Sequence, residues 1–443
     1  MTVFDGKRLS AEILRLDVDG LRRGFYADRY FVNVANILAE LRTAGYRYPD
    51  NSPRGVSAEG FAVGDVEVEA QIFTRRQPSA LIAGVDVALQ ILRHCAGYFE
   101  GERFVPTWDD LHVQALADGE MTRYDGDPLN VQPVMRIRGH YRHFALLETA
   151  LLGYLTRATR VASQVYDVLR AADGKEILFF PARFDLPAVQ SLDGYAYWLA
   201  VARYNQGAPT PVRPLVSTDA GAAWWGGSGG GTMPHALIAC FLADTAESMI
   251  AFARHMPPDM ARIALVDFNN DVVGDSLRVL DVLWPEYSAA YQRGDEAEMR
   301  RWSLDGVRLD TASGMRDISL VSEDATGVSS QLVRLVREAL DNAYTRWDVA
   351  SQMQTVAREF CERVKIVVSG GFNTERIRRF EAERVPVDSY GVGSTLLANR
   401  GDTDFTQDIV RVKIDGRWVD MAKTGRAPND HPDLQDIDLG ALT

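Results

Sequence analysis

The sequence predicts an α/β protein whose larger part is a barrel of parallel strands. Six short, nearly continuous apolar runs follow residue 175, and helical patterns such as 191–204, 234–255 and 331–339 separate most of them. Strands that are apolar on both faces and alternate with helices are typical of a parallel sheet covered on both sides. Six such units favour a barrel over a three-layer sandwich. The runs are 177–180, 214–217, 263–267, 306–310, 365–369 and 387–391.

The composition limits the class of protein. The chain has 443 residues, of which 46% are hydrophobic and 25% charged, as in ordinary globular proteins. Its 48 basic and 61 acidic residues give a net charge of −13, so we expect neither nucleic acid nor an anionic membrane as a partner. The three cysteines lie far apart without a C-x-x-C pair, which disfavours a zinc site and a disulfide framework.

The scattered cysteines fit a reducing, cytoplasmic compartment, and the apolar segments predict no membrane span. The first twenty residues lack the apolar core of a secretion signal. The most apolar stretch, 236–253, is interrupted by Asp244 and Glu247 and is therefore predicted to be a buried helix.

Shorter elements are predicted at both ends of the chain. Residues 60–73 alternate like a half-buried strand with a turn at Gly64 and Asp65, whereas 79–95 and 144–155 have helical spacing. Residues 409–421 alternate around Asp415 and Gly416, which predicts a β-hairpin. Since a lone hairpin is marginal in water, we expect it to pack on the N-terminal domain.

A glycine-rich segment precedes a candidate phosphate contact. Residues 226–231 (GGSGGG) lead through Thr232 to Pro234, which we place at the first helical position. His235 then lies in the first turn, where free backbone N–H groups favour a phosphate. The alternatives are a flexible linker and an ordinary structural histidine.

Two further glycine segments each lie between an apolar strand and a helix. No G-x-G-x-x-G or Walker motif follows a strand, so a dinucleotide fold is disfavoured. Late strands of a barrel often cradle a phosphate with backbone N–H groups, although two tight turns would look alike. The candidate residues are Ser369, Gly370, Gly371, Gly391, Gly393 and Ser394.

Charged side chains also follow the predicted strands. Arg183 and Arg308 would be costly to bury unless a carboxylate or phosphate pairs with them. Asp267 and Asp310 can bind a hydrated Mg²⁺ or ribose hydroxyls, or can cap the next helix. Together with the glycine segments they indicate a site for a small anion carrying two phosphate groups.

Six motifs in this order, FFPARF, GGGTMPHAL, ALVDFNND, GVRLDT, SGGFN and DSYGVGS, resemble those of the nicotinate phosphoribosyltransferases, in their compact archaeal-like branch. The resemblance begins at 28–31 (DRYF) and includes HFALLETALLGYL. It implies a type II phosphoribosyltransferase fold. An α/β sandwich would span residues 1–155, an irregular α/β barrel 156–404, and a C-terminal segment, 405–443, would pack on the sandwich. It also implies a homodimer with shared active sites.

The resemblance implies a reaction of nicotinate with phosphoribosyl pyrophosphate that gives nicotinate mononucleotide and pyrophosphate, with Mg²⁺ and ATP hydrolysis. It makes His235 the phosphorylated histidine and Tyr30 the ring that stacks on the pyridine. Arg183 and Arg308 would contact the substrates. Asp267 and Asp310 would stabilise charge on the ribose and hold Mg²⁺. The substrate phosphates would contact Thr232, Ser369, Gly370, Gly371, Gly391, Gly393 and Ser394.

Two motifs depart from the family pattern. Phe184 stands where a second arginine is common, and Arg136 and Arg138 are the candidates to replace its charge. The second acid after Arg308 is displaced, with Asp317 as the candidate position. Quinolinate or nicotinamide phosphoribosyltransferases of the same fold, and a non-catalytic nucleotide-binding barrel, remain alternatives. His235 favours nicotinate, because the decarboxylating enzyme has no phosphohistidine step and a sensor needs no phosphoryl acceptor.

Overall fold

An antiparallel sheet organises the N-terminal part of the chain. The computed structural model describes residues 15–320 and 325–442. This sheet has the order β15-β14-β1-β7-β5-β16, and two short ribbons, β2 with β6 and β3 with β4, accompany it. The strands are β1 (Glu67–Thr74), β2 (Ser79–Leu81), β3 (Gly97–Glu100), β4 (Arg103–Pro106), β5 (His112–Ala115), β6 (Met121–Arg123), β7 (Pro133–His140), β14 (Phe405–Ile414), β15 (Arg417–Asp420) and β16 (Gln435–Ile437).

A second six-stranded sheet is entirely parallel and has the order β10-β11-β12-β13-β8-β9. All six predicted apolar runs contribute a strand. Among the described residues β9 and β10 form the two open edges, so the sheet is a curled half-barrel. The predicted α/β architecture is thereby confirmed. The strands are β8 (Glu176–Phe179), β9 (Leu215–Val216), β10 (Ile263–Leu265), β11 (Gly306–Leu309), β12 (Lys365–Val368) and β13 (Ser389–Val392).

Helices cover both sheets, and none in the described chain is long and apolar enough to cross a membrane. The N-terminal helices are α1 (Val18–Arg22), α2 (Arg29–Thr43) and α3 (Val85–Cys95). Around the parallel sheet lie α4 (Glu148–Ala172), α5 (Gln190–Gly207), α6 (Asp219–Ala222), α7 (His235–Cys240), α8 (Thr245–His255), α9 (Val272–Arg293), α10 (Glu296–Arg301), α11 (Ser330–Asn342), α12 (Gln354–Glu362) and α13 (Thr374–Ala382).

The long helix α4 joins the two sheets. Its buried hydroxyls Thr159 and Ser163 accept hydrogen bonds from the backbone N–H groups of Ala83 and Leu81, at 3.1 and 3.0 Å, on the N-terminal side. The same helix then leads directly into β8 of the parallel sheet. These side chains satisfy backbone groups that would be costly to leave unpaired in the core.

The predicted C-terminal hairpin is present and completes the antiparallel sheet. β14 pairs with β1, with Val412 opposite Val68, and β15 returns after a two-residue turn. Asp415 and Gly416 both have positive φ, +48° and +77°, as a turn matched to strand twist requires.

Three predicted segments differ from the structure. Residues 79–95 form β2 and α3 rather than one helix, because Gly84 has φ of +94° and separates them. The helical pattern 234–255 is divided into α7 and α8 where Leu242 and Ala243 have positive φ, and Asp244 caps α8 by accepting the Glu247 N–H. The predicted strand 60–73 begins only at Glu67 and follows a short helical turn at Val63–Asp65.

Candidate functional site

Arg308 lies at the centre of a polar cluster at the carboxyl ends of the parallel strands. From β11 its guanidinium donates to Asp310 Oδ2 and to Ser369 Oγ, both at 3.4 Å, and to the Met233 carbonyl at 3.3 Å. The Ser369 hydroxyl donates to Asp310 Oδ1 at 2.8 Å. Arg308 is only 17% exposed, and each of its partners belongs to a different loop. These contacts bring together the ends of β11 and β12 and the loop that precedes α7.

His235 and Asp267 form a second pair in the same region. His235 Nε2 lies 3.1 Å from Asp267 Oδ1; the imidazole is 46% exposed, whereas the carboxylate is 8% exposed. Burial raises the pKa of Asp267, His235 lowers it, and the neighbouring charge of Asp310 raises it again. Pro234 is the cap residue of α7 rather than its first helical residue, so the helix begins at His235 itself. A carboxylate that fixes one ring nitrogen orients the imidazole, while the exposed face is open to reactants.

The glycine segment 226–231 is partly anchored to its surroundings. The Gly229 N–H donates to Asp219 Oδ1 at 2.8 Å, and the Gly230 N–H donates to the Val216 carbonyl at 2.7 Å. These bonds tie the segment to the end of β9 and the start of α6. Thr232 follows it and is half-buried. The segment is thus hydrogen-bonded to the half-barrel, which differs from a free linker.

The turn after β12 needs glycine on steric grounds. Gly370 has φ of +86°, and a Cβ added there would lie 3.2 Å from Asp310 Oδ1. Gly371 also has positive φ, +71°. Arg376 holds this turn from α13, because its Nη1 donates to the Gly370 carbonyl at 2.8 Å and its guanidinium lies 4.0 Å from the Phe372 ring. The turn therefore has a fixed shape beside the Arg308 cluster.

The turn after β13 packs against the turn after β8. A Cβ on Gly391 would lie 2.6 Å from the Phe180 ring, and one on Gly393 would lie 2.8 Å from the Phe184 ring. Ser394, at the end of this turn, is exposed. Close packing by aromatic rings accounts for these two glycines as well as a phosphate would, so the role of the turn in binding stays a prediction.

Arg183 and Tyr30 lie outside the Arg308 cluster. Arg183 is exposed in the turn Pro181–Phe184, with its guanidinium 5.3 Å from the Phe184 ring. Tyr30, on α2, is 60% exposed; its hydroxyl donates to Asp28 Oδ2 at 3.2 Å, and its ring packs on Phe31. Among the described residues no hydrogen bond or ring contact joins Tyr30 to the half-barrel.

The candidate replacement residues have other partners. Asp317 is fully buried and accepts the backbone N–H groups of Val272 and Ser319, both at 2.9 Å, so it caps α9 instead of serving as the displaced acid. Arg136 and Arg138 lie on β7 and pair with the buried carboxylate of Glu69, at 3.7 and 2.6 Å. Within the protomer, neither arginine replaces the charge missing at position 184.

Arg376 is a residue that the sequence did not single out. It belongs to a run of charged residues on α13 that looks like a solvated helix face. The available signal was its position three residues after Asn373, whose side chain accepts the Arg376 N–H and starts the helix beside the glycine turn.

The described residues contain no cluster of three or more histidine, cysteine, aspartate or glutamate side chains suited to holding a metal. Asp267 and Asp310 are nevertheless close enough for one to raise the pKa of the other. Two carboxylates fit Mg²⁺, which usually takes one or two protein oxygens and completes its shell with water and substrate phosphate.

This half-barrel, with its glycine turns and strand-end charges beside an antiparallel sheet, is the architecture of type II phosphoribosyltransferases. In sequence and in fold the chain is similar to proteins of the type II phosphoribosyltransferase family. Residues 56–159 match the family described as quinolinate phosphoribosyl transferase, N-terminal domain.

The relatives bear names of pyridine-nucleotide enzymes. Nicotinate phosphoribosyltransferase pncB2 of Mycobacterium tuberculosis is 26% identical over 295 residues, which is 67% of this chain and 51% of that protein. Nicotinate phosphoribosyltransferase pncB1 of the same organism is 25% identical to this chain over 308 residues, covering 69% of this chain and 54% of that protein. The chain thus matches about half the length of these curated relatives.

Solved structures agree on the fold. Nicotinate-nucleotide pyrophosphorylase from Pyrococcus furiosus superposes with a TM-score of 0.62 and 25% identity, covering 93% of this chain and 80% of that one. Human nicotinic acid phosphoribosyltransferase gives a TM-score of 0.55 and 16% identity, covering 87% of this chain and 75% of that one. The second likeness supports the fold alone.

Proposed function

We propose that the protein is a nicotinate phosphoribosyltransferase, which forms nicotinate mononucleotide and pyrophosphate from nicotinate and phosphoribosyl pyrophosphate. The observation that carries this proposal is the position of Arg308. Its guanidinium joins Asp310, Ser369 and the loop before His235 in one cluster, next to a glycine turn of fixed shape. The names of the curated relatives agree with the same substrate class.

The residues suit a displacement at the ribose carbon C1. The pyridine nitrogen attacks C1 with its own lone pair as the bond to pyrophosphate breaks, so no proton has to be removed first. Positive charge develops on the ribose ring, and the carboxylates of Asp267 and Asp310 stabilise it. Arg308 neutralises the departing pyrophosphate, for which a planar guanidinium is well suited. The backbone N–H groups of the turns at 369–371 and 391–394 receive the 5′-phosphate.

Mg²⁺ would be held by Asp267 and Asp310. When bound, it supplies positive charge that neutralises the pyrophosphate oxygens. Arg308 and Ser369 hold the Asp310 carboxylate in place, and the contact with His235 Nε2 holds that of Asp267.

ATP enters the proposal through His235. The imidazole is half-exposed, so it is accessible to a phosphoryl donor, and Asp267 fixes the ring through Nε2. Since α7 has only six residues, its terminus contributes little, and the orientation by Asp267 is the main argument for a phosphohistidine. Hydrolysis of that phosphohistidine would drive the synthesis.

A homodimer would bring the missing aromatic ring to the site. Tyr30 is exposed, as are the large apolar side chains of Phe25, Tyr26 and Ile37 in the same N-terminal segment. Exposed apolar side chains grouped in this way are typical of a protein interface. Tyr30 of one protomer would then stack on the nicotinate bound by the other. We expect this enzyme to act in the cytoplasm, without nucleic acid or membrane partners.

A quinolinate phosphoribosyltransferase is the second candidate, because the match of residues 56–159 is to that family's N-terminal domain. The experiment that separates them is pyrophosphate release with nicotinate, nicotinamide and quinolinate in parallel, each with and without ATP. Stimulation by ATP with nicotinate supports the proposal. Turnover of quinolinate alone with loss of carbon dioxide assigns the second function, and turnover of nicotinamide alone assigns a third.

A further inference from the structure

For the guanidinium of Arg160, in the middle of α4, no hydrogen bond or ion pair is found among the described residues. Its Nε is buried and finds no hydrogen-bond acceptor within the described residues. None of the described carboxylates lies within ion-pair distance of it. Burial lowers the pKa of Arg160, and the neighbouring Arg157 lowers it further. Because a guanidinium stays charged in proteins, an unpaired and partly desolvated one is costly unless a ligand pairs with it.

The nearest acids are already occupied by Arg157, one turn earlier on the same helix. Arg157 makes two hydrogen bonds of 2.8 Å to the buried Asp193 and one of 2.7 Å to Asp185. Both carboxylates are therefore already paired with the Arg157 guanidinium in good geometry. Asp404, the other acid near Arg160, is exposed. The two arginines thus differ: within the described part of the chain, Arg157 has carboxylate partners and Arg160 has none.

The helix face that carries Arg160 lies beside the segment that follows the turn after β13. Thr156 and Gln164, four residues on either side of Arg160, occupy the same helix face. Thr156 Oγ1 accepts the Phe405 N–H at 3.0 Å, and Gln164 donates to the Ala398 carbonyl at 2.8 Å. Arg160 therefore faces the segment 398–405, which continues directly from Gly393 and Ser394.

The residue that follows the turn after β8 is also near Arg160, since the Asp185 carboxylate acts on the pKa of Arg160. Asp185, which Arg157 holds, follows Phe184 directly, and Phe184 packs on the position of Gly393. Arg160 is thus close to the residues that follow each of the two turns where the phosphates of the substrate are expected. At this place the chain has Phe184 and no second arginine.

We propose that Arg160 binds a phosphoryl group of phosphoribosyl pyrophosphate at the turn after β13. The identity of the substrate rests on the proposed function. The binding of an anion at this turn by the Arg160 guanidinium, from α4, does not depend on it. A purely structural role, in which Arg160 stabilises the exposed Asp404, is the competing explanation.

The test is calorimetric binding of phosphoribosyl pyrophosphate, and separately of inorganic pyrophosphate and phosphate, to the full chain. Arg160→Met should weaken binding of phosphoribosyl pyrophosphate at least tenfold, and Arg160→Lys should recover part of that loss. The matched control is Arg170→Met, since Arg170 is exposed on the last turn of the same helix and should bind like the wild type. The thermal midpoint of Arg160→Met without ligand should equal or exceed that of the wild type, because an unpaired charge is removed.

The outcomes separate the two claims. Binding by Arg160→Met within twofold of the wild type, or a lowered midpoint reproduced by Asp404→Asn, would overturn the role of Arg160. If the wild type binds phosphate or pyrophosphate but not phosphoribosyl pyrophosphate, and Arg160→Met loses that binding, the anion site stands and the proposed function falls. A wild type that binds none of the three anions refutes both.

Discussion

Replacing Arg308 by alanine tests the assignment of the site most sharply among single substitutions. The guanidinium is 17% exposed and makes three hydrogen bonds of 3.3–3.4 Å, which are long for such contacts. Their combined loss should cost about 1–3 kcal/mol of folding free energy. We expect kcat/KM to fall at least a hundredfold, or on the order of 3 kcal/mol of transition-state stabilisation.

A double substitution separates catalysis from structure. Arg308→Ala leaves the Asp310 carboxylate with the Ser369 hydroxyl but without a cation. Adding Asp310→Asn removes that uncompensated charge, so the double variant should regain part of the folding free energy while its activity stays low. Steady-state rates against phosphoribosyl pyrophosphate and urea unfolding measure the two quantities. Arg358→Ala serves as a control, since its ion pair with Glu362 is half-exposed and lies on α12.

Near-normal kcat/KM in Arg308→Ala would refute this reasoning. Arg308 would then be a structural ion pair at the end of β11. Recovery of activity together with stability in the double variant would lead to the same conclusion.

Three further predictions follow from other parts of the molecule. His235→Ala should keep slow transfer without ATP, lose ATP hydrolysis and show a raised KM for phosphoribosyl pyrophosphate. In the wild type, γ-labelled ATP should give an acid-labile phosphate on His235. Label on another residue refutes the phosphohistidine. Burial raises the pKa of Glu148 from 4.5 to about 8. The folded state therefore retains a proton that the unfolded chain releases above about pH 4.5. The contribution of Glu148 to the free energy of unfolding consequently declines as the pH rises from about 4.5 to about 8. Glu148→Gln keeps an acceptor for Gln407. At about pH 8 its free energy of unfolding in urea should therefore exceed that of the wild type by on the order of 3 kcal/mol, whereas at about pH 4 the two should be equal. Equal stability of the two proteins at both pH values contradicts this. Sedimentation should show a dimer, with Tyr30→Ala raising the KM for nicotinate, and a fully active monomer would contradict the shared site.

The parallel sheet was predictable because burial on both faces produces the same continuous apolar runs in every strand. Each of the six runs forms a strand, and the hairpin around Asp415 and Gly416 forms where the turn residues indicated it. The breaks inside apolar patterns were not predictable. Leu242 and Ala243 carry no local signal for positive φ, and the tertiary contact of Asn269 with the Ala243 carbonyl, at 2.9 Å, helps to hold them.

The site was predictable only as a set of strand-end residues. Sequence order places Arg308 two residues before Asp310, but the contacts with Ser369 and Met233 depend on how separate strands align. The same limitation explains the misplacement of Asp317, whose carboxylate caps a helix that begins forty-five residues earlier in the chain. Arg160 gives no signal in an amphipathic helix, since only the absence of a partner in three dimensions distinguishes it from Arg157.

Identification of the product decides whether the protein is a nicotinate phosphoribosyltransferase. The purified protein is incubated with nicotinate, phosphoribosyl pyrophosphate, Mg²⁺ and ATP, and the mixture is resolved by chromatography with mass detection. We expect nicotinate mononucleotide and pyrophosphate in equal amounts, with the yield lowered when ATP is omitted and abolished when phosphoribosyl pyrophosphate is omitted. Absence of nicotinate mononucleotide, or its formation from quinolinate but not from nicotinate, would contradict it.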